Sequence, residues 1–131
     1  MRAAASSACC WDTGSRCSKR TVCNLQDGKL LRIYIAESTK VNDKPAVRAL
    51  PEFFLSKGLT GCTVYRGMSG FGHENRLRTV DVLNFSLDLP VIIDVIDTPE
   101  KIEAVLPEVE AMIDDGLVMV HDVRMCRKVP K

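Results

Sequence analysis

Apolar residues along this 131-residue chain fall into short runs with two periods, and those periods define most of its elements. Leu30-Leu-Arg-Ile-Tyr-Ile-Ala36 puts Leu31, Ile33 and Ile35 on one side of an extended chain and Leu30, Tyr34 and Ala36 on the other. That is the pattern of a strand buried on both faces. The spacing then changes: Ala46, Ala49, Leu50, Phe53 and Phe54 follow the i, i+3, i+4, i+7, i+8 rule of one helical face. Pro45 suits a first helical position and Gly58 a helix end. Pro51 lacks an amide hydrogen and presses on the Val47 carbonyl, so it predicts a kink or a helix that starts near it.

Cys62–Arg66 and Thr79–Phe85 read as the second and third strands, separated by the glycine-rich stretch Gly67–Arg78. Leu89–Asp97 follows as a strand that is apolar on both faces. Thr98 as N-cap and Pro99 at N1 open a second helix. Ile102, Val105, Leu106, Val109 and Ile113 form its inward stripe, while Glu103, Glu108, Glu110 and Pro107 face outward. Asp114-Asp115-Gly116 stops that helix, and Leu117–Val120, extended through Val123, is the last strand.

The order β-α-β-(loop)-β-β-α-β is that of an α+β, ferredoxin-like β-α-β-β-α-β sandwich with one extra or bent strand. Right-handed crossovers place both helices on one face of the sheet. The other face is left bare, and a bare apolar sheet predicts a closed homo-oligomer. Asp94, in the middle of an apolar strand, must find a partner there or shift its pKa.

Composition narrows the class. Hydrophobic residues make up 46% and charged residues 27%, with 18 basic against 17 acidic side chains. Such a chain is not disordered, and its near-neutral balance argues against a nucleic-acid coat. A bilayer span takes about 20 apolar residues; Leu89–Ile96 is too short and is broken by Asp94, so no membrane insertion is expected.

Residues 1–24 stand apart, with Arg2, Arg16, Lys19 and Arg20 against Asp12 alone, and with Cys9, Cys10, Cys17 and Cys23. No C-x-x-C pair or histidine accompanies those thiols, so zinc is not expected. The segment also lacks the apolar stretch of a signal peptide. The expected organisation is a tail over 1–28, disordered or lying outside the native start, a domain over 29–125 and a C-terminal tail over 126–131. A cytoplasmic location with reduced thiols follows from the lack of an export signal.

The remaining chemistry lies in Arg66-Gly-Met-Ser-Gly-Phe-Gly-His-Glu-Asn-Arg-Leu-Arg78. Gly67, Gly70 and Gly72 permit positive φ and close approach to a ligand, and successive amides in such turns can form an anion-binding nest. Arg66, Arg76 and Arg78 outnumber Glu74, with His73 beside them. A phosphate, a nucleotide or an acidic partner suits this loop; a mobile hairpin with solvated arginines, or a purely protein-binding loop, fits the same residues. Phe71 on an exposed loop calls for a base, a subunit or a partner. The candidate ligand-binding residues are therefore Arg66, Gly67, Gly70, Phe71, Gly72, His73, Arg76 and Arg78.

Catalysis finds no support. Gly67-Met-Ser-Gly-Phe71 lacks the last glycine of G-x-S-x-G, and Gly70-Phe-Gly-His-Glu-Asn75 lacks that of G-x-G-x-x-G. Neither opens a helix. His73 and His121 have no cysteine or carboxylate partner at ligand spacing, and no base, nucleophile and orienter assemble. No enzymatic activity, metal or cofactor is expected.

Four segments in order resemble the domain-of-unknown-function 190 family: Lys29-Leu-Leu-Arg-Ile-Tyr-Ile-Ala-Glu-Ser38, Arg66-Gly-Met-Ser-Gly-Phe-Gly72, Asp88-Leu-Pro-Val-Ile-Ile-Asp-Val-Ile-Asp97 and Lys101-Ile-Glu-Ala-Val-Leu-Pro-Glu-Val-Glu110. The similarity spans residues 29–123. That family is grouped with the PII-like, GlnB-like trimeric ferredoxin-like proteins, whose better-known members bind adenine nucleotides between subunits and touch partners with a loop after the second strand. The resemblance implies a homotrimer and a regulatory function. It further implies a small anionic ligand, such as an adenine nucleotide, at subunit clefts, and signalling through Gly67–Arg78 to a partner protein such as a transporter or channel.

Transfer is incomplete. The PII phosphate cradle after the second helix, T-G-x-x-G-D-G-K, is replaced by Asp114-Asp115-Gly116, which would repel a phosphate, and no tyrosine lies between Gly67 and Arg78 for modification. The alternative reading is a ligand-independent interaction module of unknown process. A third, a copper-tolerance protein that shares the trimer, would need more soft ligands than Cys62 and Cys126 offer.

Overall fold

The computed structural model describes residues 24–80 and 88–128. Most of the expected N-terminal tail, the body of the expected third strand beyond Val80, and the last three residues lie outside the described residues. In chain order the elements are β1 (Gln26–Ala36), β2 (Lys40–Val41), β3 (Lys44–Pro45), α1 (Ala46–Ser56), β4 (Cys62–Arg66), β5 (Ser69–Gly70), β6 (Arg78–Thr79), β7 (Pro90–Asp97), α2 (Pro99–Met112) and β8 (Leu117–Met125).

Four strands form one antiparallel sheet in the order β4-β7-β1-β8, the ferredoxin-like arrangement of an α+β sandwich. β1 begins four residues before its apolar run, because Gln26–Lys29 complete the ladder opposite Asp122–Met125. Backbone pairing extends the strand there, and side-chain periodicity carries no trace of it. Arg78–Thr79 does not join the large sheet; it pairs with Ser69–Gly70 as a separate ribbon.

Both helices pack on one sheet face. Leu31, Ile33 and Ile35 of β1 and Val91, Ile93 and Val95 of β7 meet Leu50 and Phe54 of α1 and Ile102, Val105 and Val109 of α2, all buried. Each such side chain removed from water contributes about 1.5–3 kcal/mol before entropy is counted. Pro45 is the N-cap of α1 instead of its first residue, and the helix runs through Pro51 without interruption. Its end is a Schellman motif: Gly58, at φ +74°, donates its amide to the Leu55 carbonyl, and buried Leu59 donates to that of Phe54. Thr98 caps α2 without a side-chain hydrogen bond, and Pro99 fills the first position.

Asp97, at the end of β7, is 3% exposed. Burial alone would raise its pKa, but the Thr60 and Thr98 amides and the Thr60 hydroxyl, each at 2.8 Å, outweigh it, and the carboxyl is held below its ordinary value. Asp88 and Asp94 are lowered as well. Depressed carboxyl pKa values contribute stability that is present above the unfolded-state value, about 4, and is lost as pH falls through the folded-state values. Melting temperature is therefore expected to be flat above about pH 5 and to fall below about pH 4, with a shallower fall in Asp97→Asn. An unchanged melting temperature from pH 6 to pH 3 would contradict this.

The opposite sheet face carries Leu30, Arg32 and Tyr34 on β1, Ile92, Asp94 and Ile96 on β7, and Thr63 and Tyr65 on β4, in register. It is not uniformly apolar. Arg32 stands directly across from Asp94, and Nε and Nη2 each donate to its carboxylate at 2.6 Å, while the Tyr65 hydroxyl donates at 3.1 Å. Arg32, and to a lesser degree Tyr65, hold the Asp94 carboxyl below its usual range. Among the described residues no helix covers this face.

Candidate functional site: a cleft closed by the glycine-arginine loop

At one end of the sheet, three chain segments enclose a cleft of about 520 Å³, within the range of about 300–1,000 Å³ for small-ligand sites. The end of β1 and its turn supply Tyr34, Ile35, Ala36, Ser38 and Thr39. The β5–β6 loop supplies Gly70 to Glu74, Arg76 and Arg78. The third side is the α2–β8 turn, with Asp115, Gly116 and Leu117, while Asp88 and Pro90 close the base.

Local chemistry explains how these segments meet. A Cβ on Gly116 would lie 2.6 Å from the Tyr34 carbonyl oxygen, so only glycine lets the α2–β8 turn pass this close to β1. The Gly67 amide donates to the Pro90 carbonyl at 2.7 Å, which pins the loop's first residue to β7. The loop's tip is a turn in which Asn75 donates to the Gly72 carbonyl at 3.0 Å. Asn75, at φ +52°, takes the left-handed position, whereas Gly67, Gly70 and Gly72 do not adopt positive φ. The expectation that glycine supplies it in the loop is thus corrected. Gly67 and Gly70 instead admit the Pro90 ring, and Gly72 faces open space.

Of the sequence-derived candidates, Gly70, Phe71, Gly72, His73, Arg76 and Arg78 line the cleft, and Arg66 and Gly67 do not. The positive local balance read from the loop alone also changes once distant carboxylates are in place. Arg66 pairs with Glu37. Arg78 pairs with Asp88 and, at 2.9 Å, with Glu74, and these bonds raise its pKa. The Ser38 amide and hydroxyl both donate to Asp88 at 2.7 Å. Burial would raise Asp88, but these bonds and Arg78 bring it below its ordinary value. His73 Nδ1 lies 3.4 Å from Asp115 Oδ1. Arg76 alone of the three loop arginines has no carboxylate partner among the described residues.

Sequence reasoning did not find Ser38, Thr39, Asp88 or the role of Gly116. Asp115 and Gly116 were visible as a helix stop and as an acidic replacement of the PII phosphate cradle, but nothing local says that the turn after α2 abuts β1. No group of three or more His, Cys, Asp or Glu among the described residues is placed to hold a metal ion. No described helix is long and apolar enough to cross a membrane.

Comparison with known proteins agrees with this architecture. The chain is 34% identical over 97 residues to a UPF0166 protein of Aquifex aeolicus (strain VF5), covering 74% of this chain and 91% of that one. Among solved structures it is similar to CPII, a nitrogen regulatory PII-like protein from Thiomonas intermedia K12 bound to ADP, AMP and bicarbonate. The TM-score is 0.55 at 23% identity, over 81% of this chain and 94% of that one. A putative PII-like signaling protein from Thermus thermophilus gives a TM-score of 0.57 at 18% identity, over 78% and 92% of the two chains. These likenesses show a PII-like fold. The model of the domain-of-unknown-function 190 family, described as "Uncharacterized ACR", matches residues 28–125, and the chain belongs to that family.

Proposed function

We propose that this chain is a cytoplasmic PII-like regulatory protein, a homotrimer of the domain that runs from β1, opened by Gln26, through β8. It takes a small anionic ligand, with an adenine nucleotide as the leading candidate, into the cleft, and changes the order of the Gly67–Arg78 loop for a partner protein. The observation that carries this reading is Arg76, a guanidinium with no carboxylate partner among the described residues, on the wall of a cleft of about 520 Å³. Charge-assisted hydrogen bonds from such a group orient phosphate or carboxylate oxygens. The ADP, AMP and bicarbonate carried by CPII, which shares the fold, support the ligand class. Ligand binding at Arg76 would shift the order of this loop, the disorder-to-order device used in many switches.

Calorimetric titration of AMP and ADP into the full chain tests it. Arg76→Ala is expected to weaken binding by about tenfold or more, the worth of a hydrogen bond to a charged group. No heat from either nucleotide would favour the second reading, a ligand-independent interaction module. That reading draws on Met68, Phe71 and Leu77, which are 78%, 73% and 70% exposed on the same loop.

A further inference from the structure

The charges around the cleft limit what can enter it. Two guanidiniums, Arg76 and Arg78, face three carboxylates, Glu74, Asp88 and Asp115. Arg78 is already shared by Glu74 and Asp88, so it has little left for a ligand. Asp88 is saturated by the two Ser38 donors as well. Among the described residues, what remains open is one guanidinium, Arg76, and one carboxylate, Asp115, whose contact there is His73 at 3.4 Å and whose side chain is 68% exposed.

We infer that the cleft selects against ligand charge: it accepts a ligand whose negative charge is small enough for Arg76 alone to match, and Asp115 rejects further phosphates. This rests on the reading of the cleft as an anion site and sharpens it. Each added phosphate places negative charge where no further free guanidinium of the described residues meets it and where the Asp115 carboxylate opposes it. At a partly exposed surface site this repulsion is appreciable at low salt and is screened as salt rises. A polyphosphate tail therefore lowers affinity, the opposite of what an arginine-rich loop read alone would predict.

The test is a calorimetric series on the full chain with cyclic AMP, AMP, ADP and ATP, which share one base and sugar and differ in phosphate charge, in low salt without magnesium. The dissociation constant is expected to rise along the series, with ATP at least about tenfold weaker than cyclic AMP. Asp115→Asn, on an exposed turn, is expected to narrow that ratio by improving ATP more than cyclic AMP, and added salt is expected to narrow it in the wild type. ATP binding as tightly as cyclic AMP, or a ratio unmoved by Asp115→Asn in a variant with wild-type melting, would overturn charge selection while leaving an anion site in place. Silence from all four ligands would remove the site and this inference with it.

Discussion

Phe54→Ala is expected to cost about 3–5 kcal/mol of stability, the range for deleting a buried aromatic ring. The ring is 1% exposed between α1 and the sheet, packed edge-on to Phe53 at 5.6 Å between centroids. The same residue's carbonyl accepts the Leu59 amide that closes α1, so the backbone around the hole is tied and cannot readily collapse into it. Phe53→Ala, at a half-buried position on the same helix, is expected to cost clearly less. Urea unfolding at a fixed protein concentration checks both, since concentration alters apparent stability in an oligomer. A loss below about 1.5 kcal/mol for Phe54→Ala would mean that the core does not centre on this ring.

Arg32→Met is expected to leave a folded protomer that no longer assembles. The substitution keeps the apolar stem but strips the Asp94 carboxylate of its two 2.6 Å donors, leaving the Tyr65 hydroxyl as its remaining partner among the described residues. In the proposed trimer this face is buried, and a carboxylate taken out of water without its cation is strongly unfavourable. Subunit affinity should fall by about a hundredfold, the scale for truncating one partner of a buried charge pair, with the circular dichroism of both helices retained. Arg32→Met combined with Asp94→Leu removes both charges and is expected to restore assembly, because apolar pairs of similar size commonly replace buried ion pairs. Sedimentation on dilution distinguishes the outcomes. A single variant that assembles like the wild type would show that the Arg32–Asp94 pair does not face a subunit.

Much of the architecture was legible because it depends on local spacing. The stripe Ala46, Leu50, Phe54 and the stripe Ile102, Val105, Val109 follow from helical period alone, and both sets are buried. The alternation of Leu31, Ile33 and Ile35 likewise matched the helix-facing side of β1. Where pairing decides, local spacing was silent. Neither the early start of β1 nor the meeting of Arg32 with Asp94, 62 positions apart, can be read before the register of β1 and β7 is known. Asp94 did announce that it needed a partner; it could not say which.

The site shows the same division. The loop's candidates were visible as glycines and arginines, yet their effective charge was not, since Glu37 and Asp88 are brought to Arg66 and Arg78 by the fold. Pro51 misled in the other direction. A proline inside a helix predicts disruption from sterics, but α1 remains one element from Ala46 to Ser56, anchored by its buried face and its glycine end.

Native mass spectrometry of the full chain, equilibrated with AMP, reads subunit number and bound ligand in one spectrum. The proposed function requires a three-subunit species that carries AMP and loses it in Arg76→Ala. A one-subunit species at micromolar concentration, free of AMP, would contradict it.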